Sequence, residues 1–286
     1  MSIQRLLHRN LTQDEIRAYQ EDGAAVIRQV IDNSWIELMR NAIERILQNP
    51  GEASIEYTPN GKEGRYYGDF FIWRRDSDFE SFMKDSPLPQ LASQLMGSSH
   101  VNFFYDQLLV KEPKTHEPTP LHQDLPYWPL QGNDISSVWV PFDKADQSSG
   151  VVHYVKGSHK WGKRYAPRTF STSTDSSFQS VYDKMNFESV TTVEDKLDQY
   201  DILHWEMEPG DVLVHHPLTL HFAPGNASST GRRRGLALRY TGTDARWDAR
   251  PGTFMENPKV AAILPEITLG DGDHLSGELF PQVWPR

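Results

Sequence analysis

Apolar and polar residues near the start of the chain follow helical patterns. Residues 12–15 (Thr-Gln-Asp-Glu) have the form of a capping box, which predicts a helix from about Gln13 to Asp22. Residues 34–37 (Ser-Trp-Ile-Glu) have the same form and predict a longer amphipathic helix. Its apolar positions recur at helical spacing, at Ile36, Met39, Ile43 and Leu47. The chain therefore begins with two surface helices that each bury one face.

From residue 101 onward the pattern changes to short apolar or alternating segments separated by Gly, Pro, Asn and Ser. Such segments are typical of β-strands. We expect strands at residues 24–28, 66–73, 101–111, 136–142, 150–155, 211–215 and 235–240, and one more helix at 89–96. Helices followed by many strands favour a mainly β fold with flanking helices, namely a double-stranded β-helix (jelly roll, cupin-like).

The chain shows no repeat, heptad pattern or linker that would mark a second domain. We therefore expect one domain over residues 1–286, with N-terminal helices at about 12–50 and a jelly-roll core at about 100–242. Residues 163–200 are polar and rich in Ser and Thr, and a connection of that length predicts a lid-like insert. The tail after residue 242 is expected to form surface loop and short helix.

Composition restricts the chemistry. The 286 residues include no cysteine, so a metal would have to be held by nitrogen and oxygen ligands. The net charge of −10 argues against nucleic acid as a partner. There is no apolar run of membrane-spanning length and no signal-peptide pattern at the N-terminus, so we expect a cytoplasmic protein without a membrane partner. No pattern specifies an oligomeric state.

The most informative motif is His122-Gln123-Asp124, with His221 far downstream. Residues i and i+2 of an extended segment share a face, so His122 and Asp124 are predicted to point the same way. Two imidazoles and one carboxylate form the ligand set of non-haem Fe(II) oxygenases. His215 and His216 compete with His221 for the third position, and His221 is preferred because of its spacing to the arginines that follow.

Three consecutive arginines, Arg232, Arg233 and Arg234, follow His221 at the start of a predicted strand. A guanidinium group there can hold a carboxylate through two hydrogen bonds. The sequence thus places a cation that can bind an acid near a predicted metal site.

Four blocks of the sequence together resemble the phytanoyl-CoA dioxygenase family of Fe(II)/2-oxoglutarate oxygenases. The blocks are residues 105–111 (YDQLLVK), 119–124 (TPLHQD), 138–143 (VWVPFD) with 149–159 (SGVVHYVKGSH), and 208–214 (EPGDVLV) with His221, Asn226 and the arginines. The resemblance extends over about residues 24–240.

The resemblance implies Fe(II) held by His122, Asp124 and His221, with 2-oxoglutarate and O2 as co-substrates. It implies that one arginine binds the distal carboxylate of 2-oxoglutarate; alignment back from Tyr240 selects Arg233, whereas a count forward from His221 selects Arg232. We prefer Arg233. Trp139 and Gln107 match positions that line the co-substrate pocket in the family, although ordinary interior packing explains them as well.

The carboxylate of Asp124 bears on the type of reaction. Related halogenases have a small residue at this position, which leaves room for chloride, so Asp124 favours oxygen chemistry. Ala223 departs from the family pattern, which often has a hydroxyl residue there, and one hydrogen bond to the co-substrate is expected to be missing.

We expect the substrate to be a small, partly apolar metabolite, such as an intermediate of secondary metabolism. Tyr127 and Trp128 follow Asp124 and are candidates for the substrate wall, with weaker support for His216 and Arg239. The predicted function is hydroxylation, or another oxidation, of an unactivated C–H bond with release of succinate and CO2. The alternatives are a metal-dependent isomerase or epimerase on a cupin-like barrel, and a non-catalytic small-molecule-binding barrel.

Overall fold

The computed structural model describes residues 5–170, 177–185 and 187–285. The helices are α1 (Gln13–Asp22), α2 (Asn33–Gln48), α3 (Ser77–Asp85), α4 (Leu88–Met96), α5 (Ser177–Tyr182), α6 (Thr191–Glu194) and α7 (Pro258–Ala261). The strands are β1 (Ala24–Ile27), β2 (Ile55–Glu56), β3 (Tyr66–Phe70), β4 (Val101–Lys111), β5 (Thr119–His122), β6 (Leu130–Gln131), β7 (Ile135–Pro141), β8 (His153–Val155), β9 (Ile202–Leu203), β10 (Val212–His215), β11 (His221–Ala223), β12 (Arg233–Thr241), β13 (Arg246–Trp247) and β14 (Gln282–Trp284).

The strands form antiparallel sheets with helices on their flank. The largest sheet has the order β1-β10-β7-β12-β4-β3-β2, and β14 pairs with β4. A second sheet has the order β5-β11-β8-β9, and β13 pairs with β6. The expected mainly β fold with flanking helices is therefore confirmed. None of the helices in the described part of the chain has both the length and the apolar character needed to cross a membrane.

One face of the large sheet packs against α1 to α4. On β12, Leu236, Leu238 and Tyr240 point into this helix-covered core, where they are almost fully buried. The alternate residues point to the opposite face, because side chains alternate along a strand. Each buried aliphatic or aromatic side chain contributes about 1.5–3 kcal/mol relative to exposure. This packing fixes the orientation of the polar residues on the other face of β12.

The first predicted helix is confirmed at both ends. The Thr12 side chain accepts from the Glu15 N–H, and the Glu15 carboxylate accepts from the Thr12 N–H at 2.7 Å. The prediction from the second capping box is wrong, because α2 begins two residues earlier than the motif predicts. Its N-terminal cap is Asp32, whose carboxylate accepts from the Trp35 N–H at 3.0 Å.

Three further differences concern the surroundings of the site. The strand expected to run to residue 73 ends at Phe70, because Phe71 adopts a left-handed φ of 54° and a short 3-10 turn follows. Helix α3 has no counterpart among the predicted elements. The tail is more than surface loop: β14 joins the large sheet, and Phe254 and Phe280 are buried.

Candidate metal centre and the adjoining cavity

Two strands of the second sheet bring the predicted ligands together. His122 ends β5 and His221 begins β11, and the two residues are direct partners in the antiparallel register. Their ring centroids lie 4.1 Å apart. Candidate ligand atoms of His122, Asp124 and His221 all lie within 4.8 Å of one another, and all three side chains are buried. The three residues therefore form one cluster at the edge of this sheet.

Asp124 reaches the cluster by a different route from the one predicted. Its backbone is helical (φ −74°, ψ −46°), since it precedes the 3-10 turn Leu125–Tyr127. The N–H groups of Asp124 and Leu125 both donate to the Pro217 carbonyl, at 2.9 and 3.0 Å. The explanation by alternation along an extended segment is thus wrong for Asp124, although the carboxylate does face His122. A turn held by Pro217 brings it there.

Hydrogen bonds fix the tautomer of both histidines. His122 Nδ1 donates to the Pro120 carbonyl at 2.8 Å, and His221 Nδ1 donates to the Thr219 carbonyl at 2.9 Å. Because a carbonyl can only accept, the proton is on Nδ1 and the Nε2 lone pair is free to bind a cation. The Nε2 atoms lie 3.7 and 3.9 Å from Asp124 Oδ1. Three donor atoms thus face one point.

The second oxygen of Asp124 is held by neighbouring side chains. Ser137 Oγ donates to Oδ2 at 2.6 Å, and His215 Nε2 lies 3.1 Å from the same oxygen. The Tyr154 hydroxyl contacts His215 Nδ1 at 3.3 Å. These contacts leave Oδ1 as the oxygen directed at His122 and His221. His215, which sequence analysis weighed as a ligand, is therefore a partner of the carboxylate.

The electrostatics of the cluster suit a cation. Burial disfavours the charged form of Asp124, but the nearby Arg239 guanidinium and the bonds from His122 and His215 hold its pKa well below the usual range. Burial, together with the neighbouring His122 and His215, holds the pKa of His221 well below its usual value. An ionised carboxylate and a neutral imidazole are the forms that bind a divalent metal.

His216 lies outside the cluster. Its N–H donates to the Gly23 carbonyl at 2.9 Å, its Nδ1 accepts from the Leu218 N–H, and its ring is 5.2 Å from that of His159. Adjacent residues of an extended segment point to opposite faces, so His215 turns inward and His216 turns away. The structure does not place His216 beside the other predicted site residues.

The three arginines differ sharply in their surroundings. Arg233 is 1% exposed, and its Nε and Nη2 have no hydrogen-bond partner among the described residues. Arg232 pairs with Glu44 and Glu112, and Arg234 pairs with Asp143 and Glu44. Buried N–H groups without partners cost about 1–3 kcal/mol each. An unpaired guanidinium in the interior indicates that an anion binds there.

A second buried basic residue lies close to Arg233 and was missed by sequence analysis. Lys111 is fully buried, donates through Nζ to the Pro224 carbonyl at 2.7 Å, and lies 4.5 Å from the Tyr66 ring centroid. Burial and the nearby Arg233 charge hold the pKa of Lys111 well below its usual value. The sequence signal was available, because Lys111 is two and four positions from Leu109 and Gln107 on an alternating strand.

Trp139 packs against the inner face of β12. Its ring centroid lies 5.6 Å from the Arg233 guanidinium carbon. The indole also lies against Gly235, where an added Cβ would come within 2.5 Å of Trp139 Nε1. A glycine is therefore required at position 235 for the indole to reach its place beside Arg233.

Gln107 and Arg239 connect the metal cluster to the interior of the large sheet. Arg239 Nη2 donates to Gln107 Oε1 at 2.9 Å and lies 3.9 Å from Asp124 Oδ1. The Arg239 guanidinium stacks over Tyr105, with its carbon 4.6 Å from the ring centroid. A continuous polar path thus runs from Asp124 through Arg239 to Gln107.

A cavity of about 330 Å³ opens onto the cluster. His122, Asp124 and Gln107 form its inner end, and aromatic side chains form most of its walls. The aromatic lining residues are Tyr57, Phe70, Tyr105, Tyr127, Trp128, Phe170, Tyr182 and Phe254. Predicted wall residues Tyr127 and Trp128 are thus present, whereas Phe254 and Lys259 come from the tail and were not predicted.

The insert contributes to the cavity through residues 168–170. The Tyr127 hydroxyl donates to the Arg168 carbonyl and accepts from the Arg168 N–H, both at 2.8 Å. The Phe170 ring lies 4.7 Å from the His122 ring. Part of the predicted lid-like insert, residues 171–176 and 186, lies outside the described residues. The described part covers one side of the metal cluster.

The tail also supports the turn that follows Asp124. Arg250 Nη2 donates to the carbonyls of Leu125 and Pro126, at 3.1 and 3.2 Å, and to that of Trp128. The Leu125 carbonyl also accepts from the Trp128 N–H at 3.0 Å, within the turn itself. Arg250 therefore adds to the hydrogen bonds of the turn and ties the tail to it.

Comparison with known proteins identifies the family to which the chain belongs. The sequence profile of the family described as phytanoyl-CoA dioxygenase (PhyH) matches residues 19–235, which is most of the chain. The chain belongs to the phytanoyl-CoA dioxygenase family. The matched range contains His122, Asp124, His221 and Arg233, whereas Phe254 and Lys259 lie beyond it.

Individual relatives of this PhyH chain are distant. The peroxisomal phytanoyl-CoA dioxygenase of Bos taurus is 24% identical over 268 residues, covering 86% of the chain and 73% of the relative. The solved 2-oxoglutarate-dependent carbocyclase SnoK, from nogalamycin biosynthesis, superposes with a TM-score of 0.73 at 24% identity, covering 96% of both chains. The epimerase SnoN, solved with Fe3+, 2-oxoglutarate and nogalamycin RO, gives 0.73 at 19% identity over 95% of this chain and 98% of that one.

Family membership fixes the general chemistry. The chain is an Fe(II)- and 2-oxoglutarate-dependent dioxygenase, and its cofactors are Fe(II), 2-oxoglutarate and O2. The donor set fits this requirement, since two imidazole nitrogens and one carboxylate oxygen suit Fe(II), and the unpaired Arg233 suits a dicarboxylate.

Proposed function

We propose that this dioxygenase hydroxylates an unactivated C–H bond of a compact, partly apolar metabolite, and that it does so on a single jelly-roll domain over residues 1–286. The convergence of His122, Asp124 and His221 at one end of an aromatic cavity carries the proposal. In this assignment the helices at about 12–50 support a core at about 100–242, and the insert at about 163–200 covers the site.

His122, Asp124 and His221 would hold the iron. The Nδ1–H bonds of the histidines to backbone carbonyls keep both Nε2 atoms directed at the metal. Ser137 and His215 retain Oδ2 of Asp124, so that only Oδ1 is presented to the cation. When bound, Fe(II) would activate O2, and 2-oxoglutarate would supply two of the electrons for the reduction of O2 and be converted to succinate and CO2.

Arg233 would bind the distal carboxylate of 2-oxoglutarate, because its buried guanidinium has two nitrogens without partners. Lys111 lies beside it as a second basic group, and the Trp139 ring packs near its guanidinium. Gln107 contributes an amide at the boundary between this region and the cavity. Ala223 cannot supply the hydroxyl that many family members have.

The cavity would bind the substrate. Tyr127 and Trp128 form its wall, and Arg239 supports that wall from behind, where it stacks on Tyr105. His216 has no part in the assignment. Outside the metal cluster and the tyrosines, the ionisable groups of the lining are Glu56, Arg168 and Lys259. They give no strongly basic surface, because Arg168 pairs with Glu194. This favours a compact metabolite over a polyanionic thioester of coenzyme A.

The test is a turnover screen with Fe(II), 2-oxoglutarate and O2. Candidate metabolites that stimulate succinate release are analysed by mass spectrometry with isotopically labelled O2. We expect a product that gains one labelled oxygen atom. A product of unchanged mass would indicate epimerisation instead of hydroxylation. Product formed without 2-oxoglutarate would overturn the proposal in favour of a metal-dependent isomerase.

A further inference from the structure

The walls of the cavity favour a flat ligand. The Tyr105 ring lies 4.7 Å from Phe254 and 5.4 Å from Phe71, and Tyr127 lies 4.9 Å from Tyr182. Aromatic rings contact other rings favourably in stacked or edge-to-face arrangements. A cavity bounded by such rings gives most contact area to a planar, unsaturated ring system and less to a flexible chain.

The Tyr105 hydroxyl has a defined polarity. Trp128 Nε1 donates to the Tyr105 oxygen at 2.8 Å, and an indole N–H can only donate. The Tyr105 oxygen is therefore occupied as an acceptor. Its own hydrogen has no acceptor among the described residues, and the side chain lines the cavity. Tyr105 thus offers the cavity a hydrogen-bond donor.

Arg239 gives Gln107 the same polarity. Because a guanidinium has no acceptor, the atom of Gln107 that meets Arg239 Nη2 is the amide oxygen, and the amide NH2 faces the other way. Gln107 also lines the cavity, so its side chain presents a donor rather than an acceptor to this region.

From this polarity we propose that the cavity selects a flat, unsaturated ring substrate with a hydrogen-bond acceptor, such as a ring carbonyl oxygen, directed at the Tyr105 hydroxyl. The inference rests on the proposed function in one respect, that this cavity is the substrate site. A ligand with an N–H or O–H group at that position meets a donor and leaves a buried polar group unpaired, which is strongly disfavoured. Tyr105 is thus a specificity-determining residue.

The experiment compares three bicyclic probes of similar size: 1-indanone, which carries a carbonyl acceptor; indole, which carries an N–H donor; and indene, which carries neither. Dissociation constants are measured by ligand-observed NMR on the full chain with 2-oxoglutarate and Fe(II) under anaerobic conditions. We expect 1-indanone to bind about 10-fold more tightly than indole, the effect of about one buried hydrogen bond. Equal affinities for 1-indanone and indole would overturn the proposal.

Tyr105→Phe assigns the effect to the hydroxyl while keeping the ring. We expect the substitution to lower the affinity for 1-indanone to about that for indene, and to leave the affinity for indene unchanged. Tyr67→Phe is the matched control, since it removes a buried hydroxyl that donates to Asp69 and lies outside the lining of the cavity. It is expected to preserve the ratio of 1-indanone to indole. If Tyr105→Phe weakens the binding of all three probes equally, the assignment of the effect to the hydroxyl is refuted.

Binding and turnover separate the two proposals. Probe affinities require no reaction, so failure to hydroxylate any metabolite would leave the probe ratios interpretable and would count against the proposed function alone. Conversely, hydroxylation of a substrate whose buried face carries only donors would overturn the acceptor preference and leave the proposed function in place.

Discussion

The metal cluster and the aromatic cavity are adjacent, but different segments of the chain form them. The cluster is formed by the paired ends of two strands and one turn, all within the range that matches the family. The cavity draws its walls from β4, from the insert and from the tail beyond that range. Under the proposed function, the paired strand ends would determine the reaction, and the cavity walls, which β4 shares with the insert and the tail, would determine the substrate.

The largest effect is expected at the cluster. His122→Ala removes one of three ligands, and we expect 2-oxoglutarate turnover to fall at least about 1,000-fold, the equivalent of about 4 kcal/mol of activation free energy. Succinate release measures turnover, titration with Co(II) measures metal binding, and circular dichroism checks the fold. His216→Ala is the control, because His216 faces away from the cluster. Full turnover in His122→Ala would refute the ligand assignment.

A smaller but selective effect is expected on the co-substrate side. Arg233→Ala should raise the KM for 2-oxoglutarate about 100-fold, as loss of a charge-assisted carboxylate contact implies. Arg232→Ala should change it less than about 2-fold, since Arg232 is engaged with Glu44 and Glu112. Steady-state kinetics with varied 2-oxoglutarate distinguishes the two. If Arg232→Ala gives the larger increase, the anchor lies one residue earlier.

The smallest effect concerns a support of the cavity wall. Asp106 accepts from the N–H groups of Ile72 and Trp73, at 2.8 and 3.0 Å, and so holds the turn next to Phe70. Burial raises the pKa of Asp106 to about 7, against the opposing effect of those N–H groups. The folded protein therefore keeps a proton that the unfolded chain releases near pH 4, and its stability decreases as the pH rises from about 4 to about 7.

Asp106→Asn cannot release that proton. We expect the Tm of the wild type to fall relative to that of the variant by a few degrees over the same interval and to stay at a constant difference above pH 7. Thermal denaturation at several pH values measures this. A difference in Tm that does not vary with pH would show that Asp106 is ionised in the folded protein throughout.

The sequence predicted the parts that follow from local periodicity. The capping box of α1 and the extent of β4 are local properties, and both predictions are confirmed. The preference for Arg233 over Arg232 rests instead on alignment with the family, and in the structure Arg233 is buried. The roles of the site residues in binding iron and 2-oxoglutarate remain predictions.

Local patterns could not predict features that depend on distant contacts. The turn at Asp124 is held by the Pro217 carbonyl, which is far away in sequence. Phe254 and Lys259 enter the cavity only because the tail folds back over the turn. The start of α2 differs from these cases because it is local: two candidate caps compete, and Asp32 rather than Ser34 accepts from the Trp35 N–H.

Arg250 limits how independently the substrate wall could evolve. Its guanidinium donates to carbonyls of the turn that follows Asp124. One residue therefore supports both the cavity wall and the position of the metal-facing carboxylate. We therefore expect a foreign tail, grafted to alter selectivity, to disturb the turn at Asp124 and with it metal binding, unless the graft retains an arginine at position 250.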